Sequence, residues 1–234
     1  MEPDSVQTLF MQFGRESSPK HKELVEIAKY KKVSIKWIDK KDLDKKSPES
    51  VHQGAILSCL NATKFFEESD IEVLLSECEK PPFILILDCV QDPHNFGACL
   101  RSADAAGVDF VIFPKDKSAP LSAVVRKVSC GASESVKLVS VTNLARAMRM
   151  LKDQGVWLAG LAGETDETTI YDLDLKDSIG IVMGSEGDGL RRNTKNMCDY
   201  LVKLPMNGAV SSLNVSVATG VALYEVLRQR GFGG

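Results

Sequence analysis

Three polar stretches of this 234-residue chain hold the residue types that could do chemistry. The first, Asp92-Pro93-His94-Asn95-Phe96-Gly97, is followed by Arg101, four residues past the glycine. The second runs from Met183 to Leu190 and sets glycines at 184, 187 and 189 around Glu186. The third is Leu204-Pro205-Met206-Asn207-Gly208, continuing into Ser211-Ser212-Leu213-Asn214-Val215-Ser216. Glycine backbone, small hydroxyls, two amides and a carboxylate suit a neutral or zwitterionic ligand held largely by main-chain groups. A guanidinium beside them suits an anionic or hydroxyl-bearing second substrate.

Other chemistries fit poorly. There is no G-x-S-x-G elbow, no G-K-[ST] phosphate loop, and no G-x-G-x-x-G at the first stretch, where a dinucleotide-binding fold would carry it. His21, His52 and His94 are far apart, and Cys59, Cys78, Cys89, Cys99, Cys130 and Cys198 form no C-x-x-C pair. A hydrolytic triad, a metal site and a disulfide framework are therefore not expected. Each stretch alone also reads as a tight turn or a helix cap. Their joint position argues otherwise.

That position follows from the elements around them. After Pro82, strand-like apolar runs at 83–88, 109–113, 136–139, 156–161, 179–183 and 201–204 alternate with helical patterns at 95–106, 121–129, 142–153, 189–197 and about 214–230. Such alternation predicts an α/β fold with a mostly parallel sheet covered on both faces. Sheets of this kind bind ligands outside the carboxyl ends of their strands, where all three polar stretches fall. Before Pro81, a smaller α/β unit is expected over residues 1–65, with a helical pattern at 22–32 and strands at 33–38 and 55–60. Residues 66–82 read as a linker with one short helix, and 83–234 as the larger domain.

The net charge of −3 hides an uneven distribution. Lys20 to Lys46 holds ten lysines against five acidic residues, whereas residues 47–82 hold two lysines against seven acidic ones. The basic segment is either a phosphate-binding surface or a solvated helix face. No apolar run approaches the ~20 residues that span a bilayer, and the start lacks the pattern of a secretory signal. A cytoplasmic protein with reduced thiols is expected.

Asn95-x-Gly97-x-x-x-Arg101, Met183-Gly184-x-Glu186-Gly187-x-Gly189, and Leu204-Pro205-Met206 leading to Ser212-Leu213-Asn214-x-Ser216 resemble the three motifs of the SpoU/TrmH (SPOUT) ribose methyltransferases. They occur in the family's order. The stretches DPHNFGACLRSADAAGVD and VSSLNVSVATG are most similar to the bacterial branch that methylates the ribose of a guanosine in 23S-type ribosomal RNA. The resemblance implies a C-terminal trefoil knot, S-adenosylmethionine as cofactor, and a homodimer through the knotted domain. It also implies an L30e-like RNA-binding domain ending at Val51-His52-Gln53-Gly54. Family members carry an extra strand and helix before the run matching Thr8 to Gly14. Here the chain starts almost at that run, so a shortened small domain is expected.

By motif matching, Gly184, Leu204 and Leu213 would hold the cofactor. Gly184 is expected to be a glycine because a side chain there would occupy ligand space. Arg101 would act on the ribose hydroxyl, as a base or as an electrostatic stabiliser. Asn95, Glu186, Ser212 and Asn214 would position the loop, the Arg or the ribose, with Ser216 structural. A transfer-RNA substrate, or a non-catalytic RNA-binding scaffold of the same fold, remains open on the sequence. If the basic segment meets RNA, a fragment starting near Pro81 keeps cofactor affinity but loses RNA binding and turnover. Methylation by that fragment at the full-length rate would reduce the segment to a solvated surface.

Overall fold

The computed structural model describes residues 6–48, 51–59, 65–163 and 168–231. The chain divides into two compact units, with the boundary between Lys64 and Phe65.

The first unit is built on a three-stranded sheet ordered β2-β1-β3. The central strand β1 (Val6–Gln12) runs parallel to β2 (Ser34–Ile38) and antiparallel to β3 (Ala55–Cys59). Helix α1 (Pro19–Tyr30) begins with proline at its first position, where the missing N–H costs nothing. The core is small: Leu9, Met11 and Ala28 are buried, with Val25, Ile35 and Trp37 packed against them. Helix α2 (Lys40–Lys46) has little apolar period to betray it, since Leu43 is its one buried residue.

The second unit holds a six-stranded parallel sheet in the order β6-β5-β4-β8-β7-β9. Its strands are β4 (Phe83–Leu87), β5 (Phe110–Pro114), β6 (Lys137–Val141), β7 (Trp157–Leu161), β8 (Ile179–Met183) and β9 (Tyr200–Val202). β4, β5 and β8 are buried at every residue, which is why they read as unbroken apolar runs rather than alternating ones. One face is covered by α4 (Pro93–Ala106), α5 (Ala123–Val128), α6 (Ala132–Ser135) and α9 (Val215–Gln229). The other is covered by α3 (Ile71–Ser76) and α7 (Leu144–Asp153). Strand order reverses between β4 and β8: the chain fills β4-β5-β6 outward, then crosses to build β7, β8 and β9 on the opposite side. That switch point is where the first and second polar stretches emerge.

Boundaries differ from the sequence reading where caps and turns decide them. α4 starts two residues early because Pro93 fits a first helical position and the Asp92 carboxylate accepts from the Asn95 N–H at 2.8 Å. The helix expected over 189–197 covers only Arg192–Met197 (α8), because Ser185 and Gly189 exchange backbone hydrogen bonds of 3.1 Å and form a tight turn first.

Residues 66–82 contain the short helix but do not form a free linker. The Phe66 N–H donates to the Leu138 carbonyl at 2.8 Å, and its own carbonyl accepts from the Ser140 N–H at 2.9 Å. Ile71 and Leu74 on α3 are buried. Just before β4, the Arg230 guanidinium donates to the Pro81 carbonyl at 2.8 Å. Among the described residues, no helix is long and apolar enough to cross a membrane.

This packing predicts that Ile71→Ala destabilises the second unit by roughly 2–5 kcal/mol, the cost of a large-to-small change in a filled core. A fragment beginning at Phe65 is expected to melt at a higher temperature than one beginning at Pro81. Equal melting temperatures would show that the 65–80 segment adds nothing to the fold.

Candidate active site

The three polar stretches meet through side-chain amides. Asn95, in the first turn of α4, donates from Nδ2 to Glu186 Oε1 in the loop after β8. Its Oδ1 accepts from Asn214 Nδ2 at 3.0 Å. Asn214 is in turn the N-cap of α9, and its Oδ1 accepts from the Ser216 N–H at 2.9 Å and from Ser216 Oγ at 2.6 Å. All three motifs thus contribute to a Glu186–Asn95–Asn214–Ser216 chain, the third supplying both Asn214 and Ser216. A cap residue is tied to a second loop and, through it, to a third.

The loop from Gly184 to Arg191 is anchored at both ends. At its start, a Cβ on Gly184 would stand 2.1 Å from the Gly189 carbonyl carbon and 2.3 Å from the Leu190 nitrogen. This corrects the expectation for Gly184: what occupies the side-chain position is the loop's own returning backbone. At its end, Arg191 donates from its backbone N–H at 3.0 Å and from Nε at 2.6 Å to the carboxylate of Asp88, which is fully buried. Sequence reasoning passed over Asp88 as the last residue of a strand. The usable signal is a carboxylate ending the apolar run Phe83-Ile84-Leu85-Ile86-Leu87, because a buried charge needs a partner. Cys89 follows with φ of 65°, in the left-handed region. Burial, and then the neighbouring Asp88 carboxylate, pushes its thiol pKa up, so it stays a protonated thiol and a poor nucleophile.

A cleft of about 920 Å³ opens at the carboxyl ends of β7, β8 and β9. Gly184, Glu186, Leu204, Ser212, Leu213 and Asn214 all line it. At Gly163, Gly187 and Gly189 the position of a Cβ is open space, so backbone groups face the cleft unshielded. Leu161, Leu190 and Val215 supply apolar wall, and two carboxylates, Glu186 and Asp188, sit among two lysines, Lys195 and Lys203. This lining fits S-adenosylmethionine: apolar surface and main-chain groups for a nucleoside, carboxylates for a sulfonium, and a volume in the range of small-molecule sites.

Arg101 stands apart. It is exposed on α4, makes no hydrogen bond or ion pair among the described residues, and does not line the cleft. Six residues of helix separate it from Asn95, about 9 Å of rise and about 120° of rotation. Glu186 pairs with Asn95, not with Arg101. Among the described residues, no group of three or more His, Cys, Asp or Glu side chains could hold a metal ion.

The anchoring of this loop makes two substitutions informative. Gly184→Val is expected to disrupt the loop itself, lowering the melting temperature as well as cofactor affinity. Arg191→Ala strips the fully buried Asp88 carboxylate of its guanidinium and is expected to cost roughly 3–5 kcal/mol. A Gly184→Val protein with parental melting temperature would mean that the loop has another way to close.

Residues 82–224 match the SpoU rRNA Methylase family, and residues 2–63 match the RNA 2'-O ribose methyltransferase substrate binding domain. The chain is 51% identical over 228 residues to the 23S rRNA (guanosine-2'-O-)-methyltransferase RlmB of Pseudomonas aeruginosa, covering 97% of this chain and 90% of that protein. It is 49% identical to the protein of the same name from Escherichia coli, covering 97% and 92%. Among solved structures, the SpoU methyltransferase AviRb of Streptomyces viridochromogenes, in complex with AdoMet, superposes with a TM-score of 0.76 at 25% identity, covering 98% of this chain and 84% of that one. With the methylase match spanning well over half of its length, this chain belongs to the SpoU rRNA methylase family.

Proposed function

We propose that this protein transfers a methyl group from S-adenosylmethionine to the ribose 2'-hydroxyl of a guanosine in 23S-type ribosomal RNA. The observation that carries the reading is the hydrogen-bonded chain Glu186–Asn95–Asn214, which joins all three motif loops at the edge of a cleft suited to the cofactor. The near-full-length similarity to proteins named as 23S rRNA guanosine methyltransferases selects the substrate over transfer RNA. The reading also places the protein with its substrate in the cytoplasm.

When bound, S-adenosylmethionine supplies an electrophilic methyl on a sulfonium. The chain's own residues do the remaining work. Backbone groups around Gly184, Leu204 and Leu213 hold the cofactor. Asn95, Glu186 and Asn214 fix the loops relative to one another, so that the reacting groups are aligned before reaction; such alignment is worth roughly 7–11 kcal/mol in favourable cases. Ser212, exposed on the cleft wall, is the hydroxyl assigned to the target ribose in this reading.

Arg101 is the group assigned to the RNA. A guanidinium rarely surrenders its proton, so binding the neighbouring phosphate and stabilising the developing alkoxide suits it better than acting as a base. Its exposure, without a partner among the described residues, suits a side chain that waits for a ligand. The same reading makes the active unit a homodimer through the second unit. Val217 and Tyr224, seven residues apart on α9 and both exposed, form part of an apolar stripe that a second copy would cover. The loops after β8 and β9, which share one cleft, would form the trefoil knot.

The deciding experiment incubates the protein with labelled cofactor and separate ribosomal and transfer RNA, then maps the 2'-O-methyl site. Label on transfer RNA alone would overturn the substrate assignment. Arg101→Ala is expected to lower the rate by about 10²–10³ while leaving cofactor affinity within a few-fold. Arg101→Lys should recover little, because an ammonium lacks the bidentate fork. Activity in Arg101→Ala close to the parental rate would remove Arg101 from the site.

A further inference from the structure

The carboxyl edge of the six-stranded sheet carries a second cleft, of about 410 Å³, on the other side of the site. It opens beyond β5 and β6, between the segment after Pro114, the start of α7 and the start of α8. Its wall includes Lys117, Thr142, Asn143, Arg191, Arg192 and Asn193. Because strand order is β6-β5-β4-β8-β7-β9, the start of α4 with Asn95 emerges between this cleft and the cofactor cleft. The Gly184–Arg191 loop contributes to both: Leu190 lines one and Arg191 the other.

The two clefts differ in charge. Among the described residues, the cofactor cleft sets Glu186 and Asp188 beside Lys195 and Lys203. The second cleft sets Lys117, Arg191 and Arg192 against a single carboxylate, Asp116, among the described residues. Arg191 is already committed to Asp88. Lys117 and Arg192 are exposed and make no ion pair or hydrogen bond among the described residues. Lys117 is close enough for its charge to act on the Cys89 thiol, in the loop leading from β4 to Asn95. Lys115, also exposed, extends the same positive edge. Two uncommitted cations from different elements, with hydroxyl and amide donors between them, match spaced phosphates better than one small anion.

We infer that this cleft docks the phosphodiester backbone of the RNA strand flanking the target nucleotide. The inference rests on the methyltransferase reading for the identity of the strand, and it assigns the catalytic unit its own RNA-binding surface. Phosphate contacts of this kind carry no sequence information; they set register, so that the target ribose arrives at the amide chain.

The test uses the full chain, with Lys117→Gln and Arg192→Gln combined, and transcribed large-subunit ribosomal RNA as the probe. Both side chains are exposed and neither belongs to the cofactor cleft, so melting temperature and cofactor affinity should match the parent. Losing two single-strand phosphate contacts should lower the slope of log affinity against log salt by about 1.4, and weaken RNA binding at low salt on the order of tenfold. KM for RNA should rise with kcat little changed. An unchanged salt slope and an unchanged KM would overturn the proposal. A reduced slope in a protein whose parent methylates no RNA would keep the cleft and sink the methyltransferase reading instead.

Discussion

The site depends on a carboxylate taken out of water. Asp88 ends a fully buried strand, and its charge is compensated by the backbone N–H and guanidinium of Arg191, 103 residues further along the chain. A buried ion pair adds little net stability over an apolar one, but breaking it is expensive. Its effect here is positional. With Arg191 held at the end of β4 and Gly184 closed against the backbone of Gly189 and Leu190, the intervening loop has its ends fixed. Glu186, at its middle, then meets Asn95.

The amide chain turns local caps into long-range links. A helix N-cap ordinarily satisfies orphan N–H groups of its own first turn. Asn214 does so through Ser216, yet its Nδ2 reaches Asn95 across 119 residues of sequence. Asn95 both accepts and donates, so a change at either neighbour would be felt at the other. This arrangement suits a reaction in which alignment does most of the work, because loops joined in this way cannot drift independently. Strand order places that chain between a cleft of mixed charge and a cationic one.

The two units hold themselves together differently. The second covers its sheet on both faces, with fully buried Phe96, Phe110 and Leu100 among its core. The first relies on Leu9, Met11 and Ala28 with a few half-buried neighbours. A small core buries a smaller share of the surface its chain would otherwise expose, so it has less margin against substitution.

The sequence by itself determined the architecture of the second unit and the loops that matter. Unbroken apolar runs of five residues that alternate with amphipathic helices read as parallel strands covered on both faces, an arrangement that leaves one edge for ligands. The three motifs, and the family they point to, were legible for the same reason: residue types and spacing are local. Strand β1 and helix α2 were not, because β1 draws its order from pairing on both sides and KKDLDKK offers one apolar residue. Tertiary structure alone decided that residues 65–82 pack on the second unit, that Asp88 pairs with Arg191, and that Gly184 is demanded by backbone crowding and not by ligand space. It also decided which candidates meet: Asn95, Glu186 and Asn214 do, while Arg101 remains exposed on its helix. Each of these facts joins residues tens of positions apart through hydrogen bonds or excluded volume, and periodicity along a chain holds no record of what approaches it from elsewhere.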